Sequence, residues 1–282
     1  CKVLLHFNTT KDEQVLVKVG VSAVDIAGAR KNVESEIPGW DFDKVRKNAR
    51  SAWNQYLSKI DITTPDKDDK TIFYTALYHT AISPNLFTDA DGRYLGMDLE
   101  VHQGDTINPL YTVFSLWDTF RALHPLMTII NPDLAADWGK VLVQGYKEGG
   151  ILPKWPLASS YTGCMVGYPA VSVLADLVCK DLADGDLKTW AEAGARSSVY
   201  REDLAEKFKG TRELDLITRH PYYKEKYGFV PADSVPESVS WGLEMAYEDW
   251  CISQIAAKAG LDSLAQAYAA KGEYYKRYLD PE

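Results

Sequence analysis

Residues 111–125, which read YTVFSLWDTFRALHP, contain side chains that suit carbohydrate binding. Asp118 lies close to the start of a predicted helix, where the helix dipole favours an ionised carboxylate. Such a carboxylate accepts hydrogen bonds from two neighbouring sugar hydroxyls, while the adjacent Trp117 ring packs against the apolar face of the sugar. Alternatively, Ser115 or Asp118 only caps the helix, and Asp118 pairs with Arg121 in the next turn. The spacing by itself slightly favours this structural interpretation.

A second motif, GGILPKWPLA at 149–158, places a cation beside a large aromatic ring. Its two prolines are incompatible with a helix, so we predict a rigid turn. Lys154 would donate hydrogen bonds to sugar hydroxyls and Trp155 would form a stacking wall, or Trp155 would fill the core beneath a loop. Cys164 follows in the next stretch, and because no histidine lies nearby in the sequence, we expect it to be packed rather than nucleophilic.

A third motif, SVSWGLEMAYEDW at 238–250, contains three carboxylates on a predicted helix. Glu244 and Glu248 share a face at i,i+4 spacing, and Asp249 is next to them. Paired carboxylates can act as general acid and general base. A solvated or ion-paired helix face explains the same spacing and is the favoured interpretation at this point.

Other known motifs either match this sequence incompletely or are absent from it. Residues 89–94 begin like a calcium loop and have Glu100 at the twelfth position, but Gly92 is two places early and Arg93 occupies the fifth position, so we predict a turn. The P-loop, the GxGxxG motif after a strand, GxSxG and HExxH are absent from the sequence. Common nucleotide, serine-hydrolase and zinc-protease chemistries are therefore disfavoured.

Composition restricts the function further. The 282 residues are 46% hydrophobic, enough for a sizeable core, and carry a net charge of -9 without a basic cluster, which disfavours nucleic acid as a partner. No apolar run approaches the roughly 20 residues that cross a bilayer, so membrane insertion is not expected. Eight Trp and seventeen Tyr include several in polar, turn-rich stretches, as sugar sites require. The cysteines are scattered without the spacing of a zinc site: Cys1, Cys164, Cys179 and Cys251.

The elements that position these motifs are mostly helices. Residues 2–7 and 14–24 predict a β-hairpin, and helices follow at 27–36, at 41–59 with Asp41 as N-cap, and at 70–82. Further helices are predicted near 117–130, 132–147, 165–180, 187–195, 198–209, 238–260 and 262–279. Helices joined by aromatic loops suit a toroid of helical hairpins, in which the loops at one end form a pocket. Periodicity alone does not separate this toroid from another helical array.

Two motifs together resemble one family. The strings YTVFSLWDTFRALHPL at 111–126 and GGILPKWPLASSYTGCMVGYPAV at 149–171 are similar to glycoside hydrolase family 92, the calcium-dependent, inverting exo-acting α-mannosidases. Supporting stretches are VLVKVGVSAV at 15–24, AWNQYLSKI at 52–60, TIFYTALYHTAISPNLFTDADGRYLGMD at 71–98 and SVSWGLEMAYEDW at 238–250. They cover most of the chain in the family's order.

The resemblance implies a mainly α fold, part of an (α/α)6 toroid or barrel preceded by the last strands of a β-sandwich domain. Residues 1–25 would be those strands, 26–65 the linking helices and 66–282 the first part of the barrel. Both ends of the chain look cut, as expected of a fragment. The family's catalytic acid, base and calcium ligands are expected outside this chain, so neither catalytic nor metal residues are assigned within it.

The resemblance also implies roles for single residues. Asp118 is the first candidate for a contact with terminal mannose, and Gly242 stands where relatives commonly carry Thr, which affects the details of its helix. The further substrate-binding or supporting candidates are Trp117, Arg121, Lys154, Trp155 and Glu244.

The implied function is removal of terminal α-linked mannose, of the α-1,2 class, from glycans by a secreted or periplasmic enzyme that uses calcium. The isolated fragment would be inactive. Two alternatives remain: a non-catalytic glycan-binding or scaffold module on the same toroid, and another (α/α)6 carbohydrate-active enzyme such as a polysaccharide lyase. A lyase would need a basic groove for uronate carboxylates, and the acidic balance of the chain disfavours it.

Overall fold

A computed structural model describes residues 2–104, 109–211 and 213–279. Helices dominate this part of the chain, which confirms the prediction of a mainly α fold. They are α1 (Ile26–Glu36), α2 (Phe42–Leu57), α3 (Lys67–His79), α4 (Leu116–Thr119), α5 (Leu123–Ile130), α6 (Pro132–Gly149), α7 (Ala170–Cys179), α8 (Leu187–Ser197), α9 (Glu213–Ile217), α10 (Arg219–Tyr227), α11 (Ser238–Lys258) and α12 (Asp262–Gly272), with 3₁₀ turns at Glu202–Leu204 and Glu273–Tyr278.

The strands of the described residues are short and lie within the connecting loops. They form three antiparallel pairs: β1 (Asn85–Leu86) with β4 (Tyr111–Thr112), β2 (Arg93–Leu95) with β3 (Val101–Gln103), and β5 (Pro156–Leu157) with β6 (Ser160–Tyr161). In the longest ladder Tyr94 is opposite His102. These ladders stiffen the loops that carry the first two sequence motifs.

Aspartate caps explain where several helices begin. The Asp41 side chain accepts a hydrogen bond from the backbone N–H of Lys44, which confirms the predicted N-cap of α2. In the same way Asp66 accepts from the N–H of Asp68, so α3 begins at Lys67, three residues before its predicted start. The predicted start at residue 70 is too late, because the Asp66 cap allows the charged residues of the first turn to be helical.

Two predicted helices differ in the structure because local geometry overrides periodicity. The stretch 117–130 divides into α4 and α5, since the ring of Pro125 clashes with a helical carbonyl at Arg121 and its nitrogen has no hydrogen to donate. The helix predicted at 198–209 is wrong: only the turn Glu202–Leu204 is helical, and the Arg201 guanidinium binds Asp203 and the Gly150 carbonyl. Helix α10 was not predicted, because its polar sequence has no helical spacing of apolar residues.

At the N-terminal end, the predicted β-hairpin is wrong for the described residues: neither 2–7 nor 14–24 forms a strand, and only the turn between them is present. The backbone N–H of Glu13 donates to the Thr10 carbonyl at 3.2 Å, and the Glu13 carboxylate accepts from the N–H of Thr10. Apolar side chains here are exposed, as shown by Leu4 at 84%. The assignment of residues 1–25 to a β-sandwich stays a prediction, and Cys1 lies outside the described residues.

The hydrophobic core lies between α5, α6, α7, α8, α11 and α12. Among its fully buried side chains are Leu142, Leu174 and Ile252. A Cβ atom on Gly194 would lie 3.0 Å from Ile252 Cγ1 and 3.1 Å from Val171 Cγ1, so a glycine here lets α8 approach both α7 and α11 closely. This packing holds the loops at the ends of the helices in fixed positions.

The loop that resembled a calcium site is a turn tied to α1. Asp89 is buried and accepts hydrogen bonds from Ser22 Oγ and Asn32 Nδ2, both at 2.7 Å, and the N–H of Gly92 closes the turn onto the Asp89 carbonyl. Asp91 forms an ion pair with Lys31. Throughout the described residues, no three His, Cys, Asp or Glu side chains are grouped so that they could hold a metal ion.

The helices of the described residues also bear on membrane insertion. None of them combines the length and apolar character needed to span a bilayer.

Candidate functional site

The first two sequence motifs meet in the structure. The backbone N–H of Val113 donates to the Pro156 carbonyl at 3.1 Å, and that of Leu116 donates to the Lys154 carbonyl at 3.3 Å. These bonds join the segment that leads into α4 to the proline-bounded turn before β5. The side chains predicted separately for sugar binding are therefore neighbours.

Ser115 connects two of these side chains through hydrogen bonds. Trp155 Nε1 donates to Ser115 Oγ at 2.7 Å, and Ser115 Oγ donates to Asp118 Oδ2 at 2.6 Å. Asp118 is exposed, and its second carboxylate oxygen has no hydrogen-bond partner among the described residues. The chain of bonds fixes the carboxylate and leaves one oxygen available to a ligand hydroxyl.

The predicted pair between Asp118 and Arg121 is wrong. Arg121 Nη2 instead forms an ion pair with Glu244 Oε1 at 2.7 Å, because α4 ends at Thr119 and Arg121 leaves the helical face that Asp118 occupies. The Arg121 guanidinium lies 5.4 Å from the centre of the Trp117 ring. Among the described residues Asp118 has no ion-pair partner, so its carboxylate is open to hydroxyl donors.

Trp117 and Trp155 are half-buried, and only Trp155 has a polar partner. The indole nitrogen of Trp117 is buried and makes no hydrogen bond with the described residues. The prediction that these two rings line a sugar pocket stays a prediction. Their position beside an exposed, oriented carboxylate is the arrangement expected of a pyranose site.

Lys154 lies behind this surface rather than on it. Its side chain is 3% exposed, and Nζ donates to the Met165 carbonyl at 2.9 Å and lies 5.3 Å from the Trp241 ring centre. Burial lowers its pKa to about 8, and the carboxyl groups of Glu213 and Glu248 partly offset this effect. Of the two roles predicted for Lys154, lining or support, the geometry favours support of the loop at 162–168.

The carboxylates of α11 do not form the pair that could perform acid and base chemistry. Glu244 binds Arg121, whereas Glu248 is fully buried and its Oε2 accepts from the backbone N–H of Tyr168 at 2.7 Å. Burial raises the pKa of Glu248 well above its ordinary value. Asp249 is buried against Lys224, with 3.0 Å between Oδ2 and Nζ. Glu244 and Asp249 are thus ion-paired, as the favoured interpretation allowed, but the solvated face is wrong, because Glu248 and Asp249 are fully buried.

Glu213 and the Lys224 ion pair were missed by sequence reasoning. Glu213 is buried in the short α9, and burial raises the pKa of its carboxyl group while Lys154 lowers it. Lys224 is in the polar stretch RHPYYKEKY, where nothing in the periodicity separates a buried lysine from its exposed neighbours. Only the fold reveals which charges are enclosed.

The fold is thus a mainly helical array whose loops bring indole rings close to an anchored carboxylate, and such groups suit carbohydrate binding. The profile of the glycosyl hydrolase family 92 catalytic domain matches residues 28–282. The chain belongs to this family.

Solved structures agree with this assignment. The chain is similar to a family GH92 α-mannosidase from Bacteroides thetaiotaomicron, with 35% identity, a TM-score of 0.81 and coverage of 93% of this chain and 33% of that one. It is also similar to an inverting GH92 mannosidase from the same organism, with 30% identity, a TM-score of 0.82 and coverage of 92% and 34%. The helical fold and these neighbours confirm the predicted fold class, part of an (α/α)6 toroid; the division into linking helices and barrel at residue 65 stays a prediction.

A curated relative supports the same family. An uncharacterised secreted glycosidase from Arthroderma benhamiae is 36% identical over 252 residues, which cover 88% of this chain and 28% of that protein. The chain therefore spans about a third of the length of the proteins that it matches.

Proposed function

We propose that the protein carrying this chain is an α-mannosidase that releases terminal α-linked mannose from glycans with inversion, acts on α-1,2 linkages and works outside the cytoplasm, secreted or periplasmic. Family membership supports the reaction class, and a relative described as an inverting mannosidase supports the stereochemistry. A related α-mannosidase structure contains mannoimidazole, which supports mannose as the terminal sugar. The secreted relative supports the location.

The observation that carries the proposal for this chain is the hydrogen-bonded series Trp155–Ser115–Asp118 beside Trp117. Asp118 would accept hydrogen bonds from vicinal hydroxyls of the terminal mannose, and the indole ring of Trp117 would pack against the sugar. Trp155 would orient the carboxylate through Ser115. Arg121 and Glu244 would support the site through their ion pair, and Lys154 would support it through Met165.

The chemical step needs groups beyond these. An inverting glycosidase requires an acid and a base about 6.5–9.5 Å apart, with a water between the base and the sugar. Because Glu244 and Glu248 are engaged or enclosed, we assign both catalytic carboxylates to sequence outside this chain. Among the described residues no three His, Cys, Asp or Glu side chains are grouped as metal ligands, and by the family resemblance we place the calcium ligands outside this chain.

Asp118→Asn in the full protein tests the proposal, with α-1,2-mannobiose as substrate. Loss of the charge should lower kcat/KM by about 100-fold, since each of the two hydrogen bonds from the vicinal hydroxyls loses its charge assistance, at about tenfold for each bond. Asp69→Asn is the matched control, because Asp69 is also an exposed aspartate in the first turn of a helix. Wild-type activity in Asp118→Asn, or no mannose release by the full wild-type protein, would contradict the proposal.

The same assay separates the alternative of a non-catalytic glycan-binding module. The 282-residue chain alone should bind mannose without releasing it, and the full protein should release mannose in a manner sensitive to a calcium chelator. Saturable binding without turnover in the full protein would instead identify a binding module.

A further inference from the structure

Glu248 is a fully buried acid on α11, and it contacts the loop at 162–168. Its Oε2 accepts a hydrogen bond from the backbone N–H of Tyr168 at 2.7 Å, whereas its Oε1 is buried and has no partner among the described residues. An ionised carboxylate is stable in a protein interior only with a paired cation or several hydrogen-bond donors. The single donor does not stabilise the ionised form of Glu248.

The acidic neighbours of Glu248 on α11 disfavour its negative charge further. Glu244 precedes it by one turn and Asp249 follows it directly, and their ion pairs already use the nearest cations of two other elements, Arg121 and Lys224. Burial, and then the charges of Glu244 and Asp249, raise the pKa of Glu248 well above its ordinary value, although one backbone hydrogen bond opposes them.

The segment before β5 supplies one cation, which Glu248 shares with another acid. Burial lowers the pKa of Lys154 to about 8, and the charge of Glu213 offsets this effect more than that of Glu248 does. One ammonium cannot balance two buried carboxylates, so Glu248 carries its proton at neutral pH. The other ionisable groups close to it also keep their protons, because burial raises the pKa of each: Tyr168, Tyr247 and Cys251.

The loop packs against this acid without room for another atom. Gly167 has φ 69°, and a Cβ atom on it would lie 2.3 Å from Glu248 Oε1. The next residue, Tyr168, leads into α7, and Glu248 is the acceptor of its backbone N–H. Since a buried N–H without an acceptor is costly, the side chain of Glu248 determines where this end of the loop lies.

The same loop is bonded to the residues that orient Asp118. Thr162 Oγ1 donates to the Trp155 carbonyl at 2.7 Å, and Lys154 Nζ donates to the Met165 carbonyl at 2.9 Å. The indole of Trp155 in turn begins the hydrogen-bonded series that ends at Asp118. A displacement of the loop therefore displaces residues 154 and 155, and with them the donor that fixes the carboxylate.

We propose that Glu248 is a positioning residue of the mannose site: its side chain fixes the loop at 162–168, and the loop fixes Trp155 and through it Asp118. The inference rests on the proposed function for the identity of the sugar. Glu248 acts in its neutral form, as one acceptor for the N–H of Tyr168, and it touches neither the sugar nor the reacting atoms. A glutamine has the same shape and the same acceptor, so it should replace Glu248.

Glu248→Gln and Glu248→Leu in the full protein test this role. Glutamine keeps the acceptor, so KM for α-1,2-mannobiose should stay within about twofold of wild type. Leucine leaves the N–H of Tyr168 buried without a partner, so the loop should shift and KM should rise about tenfold. The value of kcat should stay within about threefold, because Asp118 would bind hydroxyls that do not react and both catalytic carboxylates are assigned outside this chain.

Ile255→Val is the matched control for a general loss of stability. Ile255 is fully buried on the same helix, two turns beyond Glu248, so its truncation should lower the midpoint of urea unfolding and leave KM within about twofold. An unchanged KM in Glu248→Leu, or an equal rise in KM in Glu248→Gln and Glu248→Leu, would overturn the positioning role. If the full wild-type protein releases no mannose, the proposed function fails, and the Kd of the same variants for mannose, from calorimetric titration, decides the role of Glu248.

The neutral form of Glu248 has a test that needs no sugar. The unfolded chain loses this proton near pH 4.5 and the folded chain only at higher pH, so this group lowers the free energy of unfolding as pH rises above 4.5. Glu248→Gln has no proton to lose, and its urea midpoint relative to wild type should therefore increase from pH 5 to pH 8. Glu34→Gln, at an exposed position on α1, should keep the wild-type dependence.

Infrared spectra of the full protein at pH 7 give a direct reading of the same proton. Wild type should show the carbonyl stretch of a protonated carboxyl group, and Glu248→Gln should lack it. Absence of this band in wild type, together with the same pH dependence of stability in Glu248→Gln as in wild type, would show an ionised Glu248 and overturn the inference.

Discussion

At the scale of single residues, Asp118 differs from the exposed aspartates that cap helices, such as Asp41 and Asp66, because a side-chain hydroxyl rather than a backbone N–H positions it. Ser115 Oγ receives one hydrogen bond from Trp155 and gives one to Asp118, so the carboxylate is positioned by a hydroxyl whose own hydrogen is directed by an indole. The sequence predicted Asp118, Trp117 and Trp155 as candidates, because residue type and local turn signals suffice for that. It did not predict the part of Ser115, which depends on contacts across forty positions.

Ser115→Ala and Trp155→Phe should weaken the site without removing Asp118. Each variant removes one hydrogen bond of the series. The loss of about 1 kcal/mol should lower the affinity for mannose roughly fivefold. Calorimetric titration of both variants measures this, with Ser58→Ala, whose exposed hydroxyl donates to the Gln55 carbonyl, as the control. Unchanged affinity in both variants would show that Asp118 needs no positioning.

His124 makes stability depend on pH in a defined direction. It is 2% exposed, packs 5.3 Å from the Trp138 ring centre, and neither ring nitrogen has a partner among the described residues. Burial lowers its pKa from 6.5 to about 4. Between these values the unfolded chain binds the additional proton, so the free energy of unfolding falls as pH falls from 6.5 towards 4.

The free energy of unfolding should be about 2 kcal/mol lower at pH 5 than at pH 7.5 because of His124. This value follows from about 1.36 kcal/mol for each unit of pKa difference between the folded and unfolded states. Urea unfolding of wild type and His124→Leu at both pH values measures it: the variant should lose less stability on acidification, whatever its stability at pH 7.5. His79→Leu, at an exposed position on α3, should keep the wild-type dependence. The same acid loss in His124→Leu as in wild type would assign the effect to other groups.

At the scale of elements, long helices that bury an apolar face were predictable, whereas the short α9 and the polar α10 were not. The apolar period located α6, α8 and α11, because each buries one face against the core. The loop at 162–168 was predicted as helix from residue 165 onward, yet α7 begins at Ala170 because the preceding residues take left-handed conformations and Glu248 accepts the N–H of Tyr168. Such a loop is specified by its tertiary partners, which no local pattern contains.

Gly167→Ala should destabilise this loop strongly. The residue has φ 69°, and a Cβ atom would lie 2.3 Å from Glu248 Oε1, whose side chain is fully buried and cannot move aside. Conformational strain and the clash together should cost about 3 kcal/mol or more. Gly39→Ala is the matched control, since no atom lies within 4 Å of the added methyl group, and it should change the midpoint of thermal unfolding by about 1 °C or less. A comparable midpoint for Gly167→Ala would contradict this geometry.

At the scale of the whole molecule, enclosed charges join helices that the hydrophobic core leaves apart. Lys224 of α10 binds Asp249 of α11, and the Tyr168 hydroxyl, just before α7, lies 2.5 Å from Asp249 Oδ1 and 3.0 Å from Lys224 Nζ. Helical periodicity predicted a mainly α array from the sequence, and the resemblance to the family implied the toroid. They could not predict this network, because its lysine and aspartate look like solvated residues until α10 is folded over α11.

Asp249→Asn should therefore destabilise the fold far more than a surface aspartate would. The substitution leaves the Lys224 ammonium buried without its counter-charge. This should lower the free energy of unfolding by about 3–5 kcal/mol. Lys224→Met in the same chain removes the uncompensated charge, so the double variant should recover most of the loss. Urea unfolding of the two single variants and the double variant gives the coupling energy. If the double variant is as unstable as the sum of the singles, α10 is not held to α11 by this ion pair, and its packing must come from the aromatic side chains around it instead.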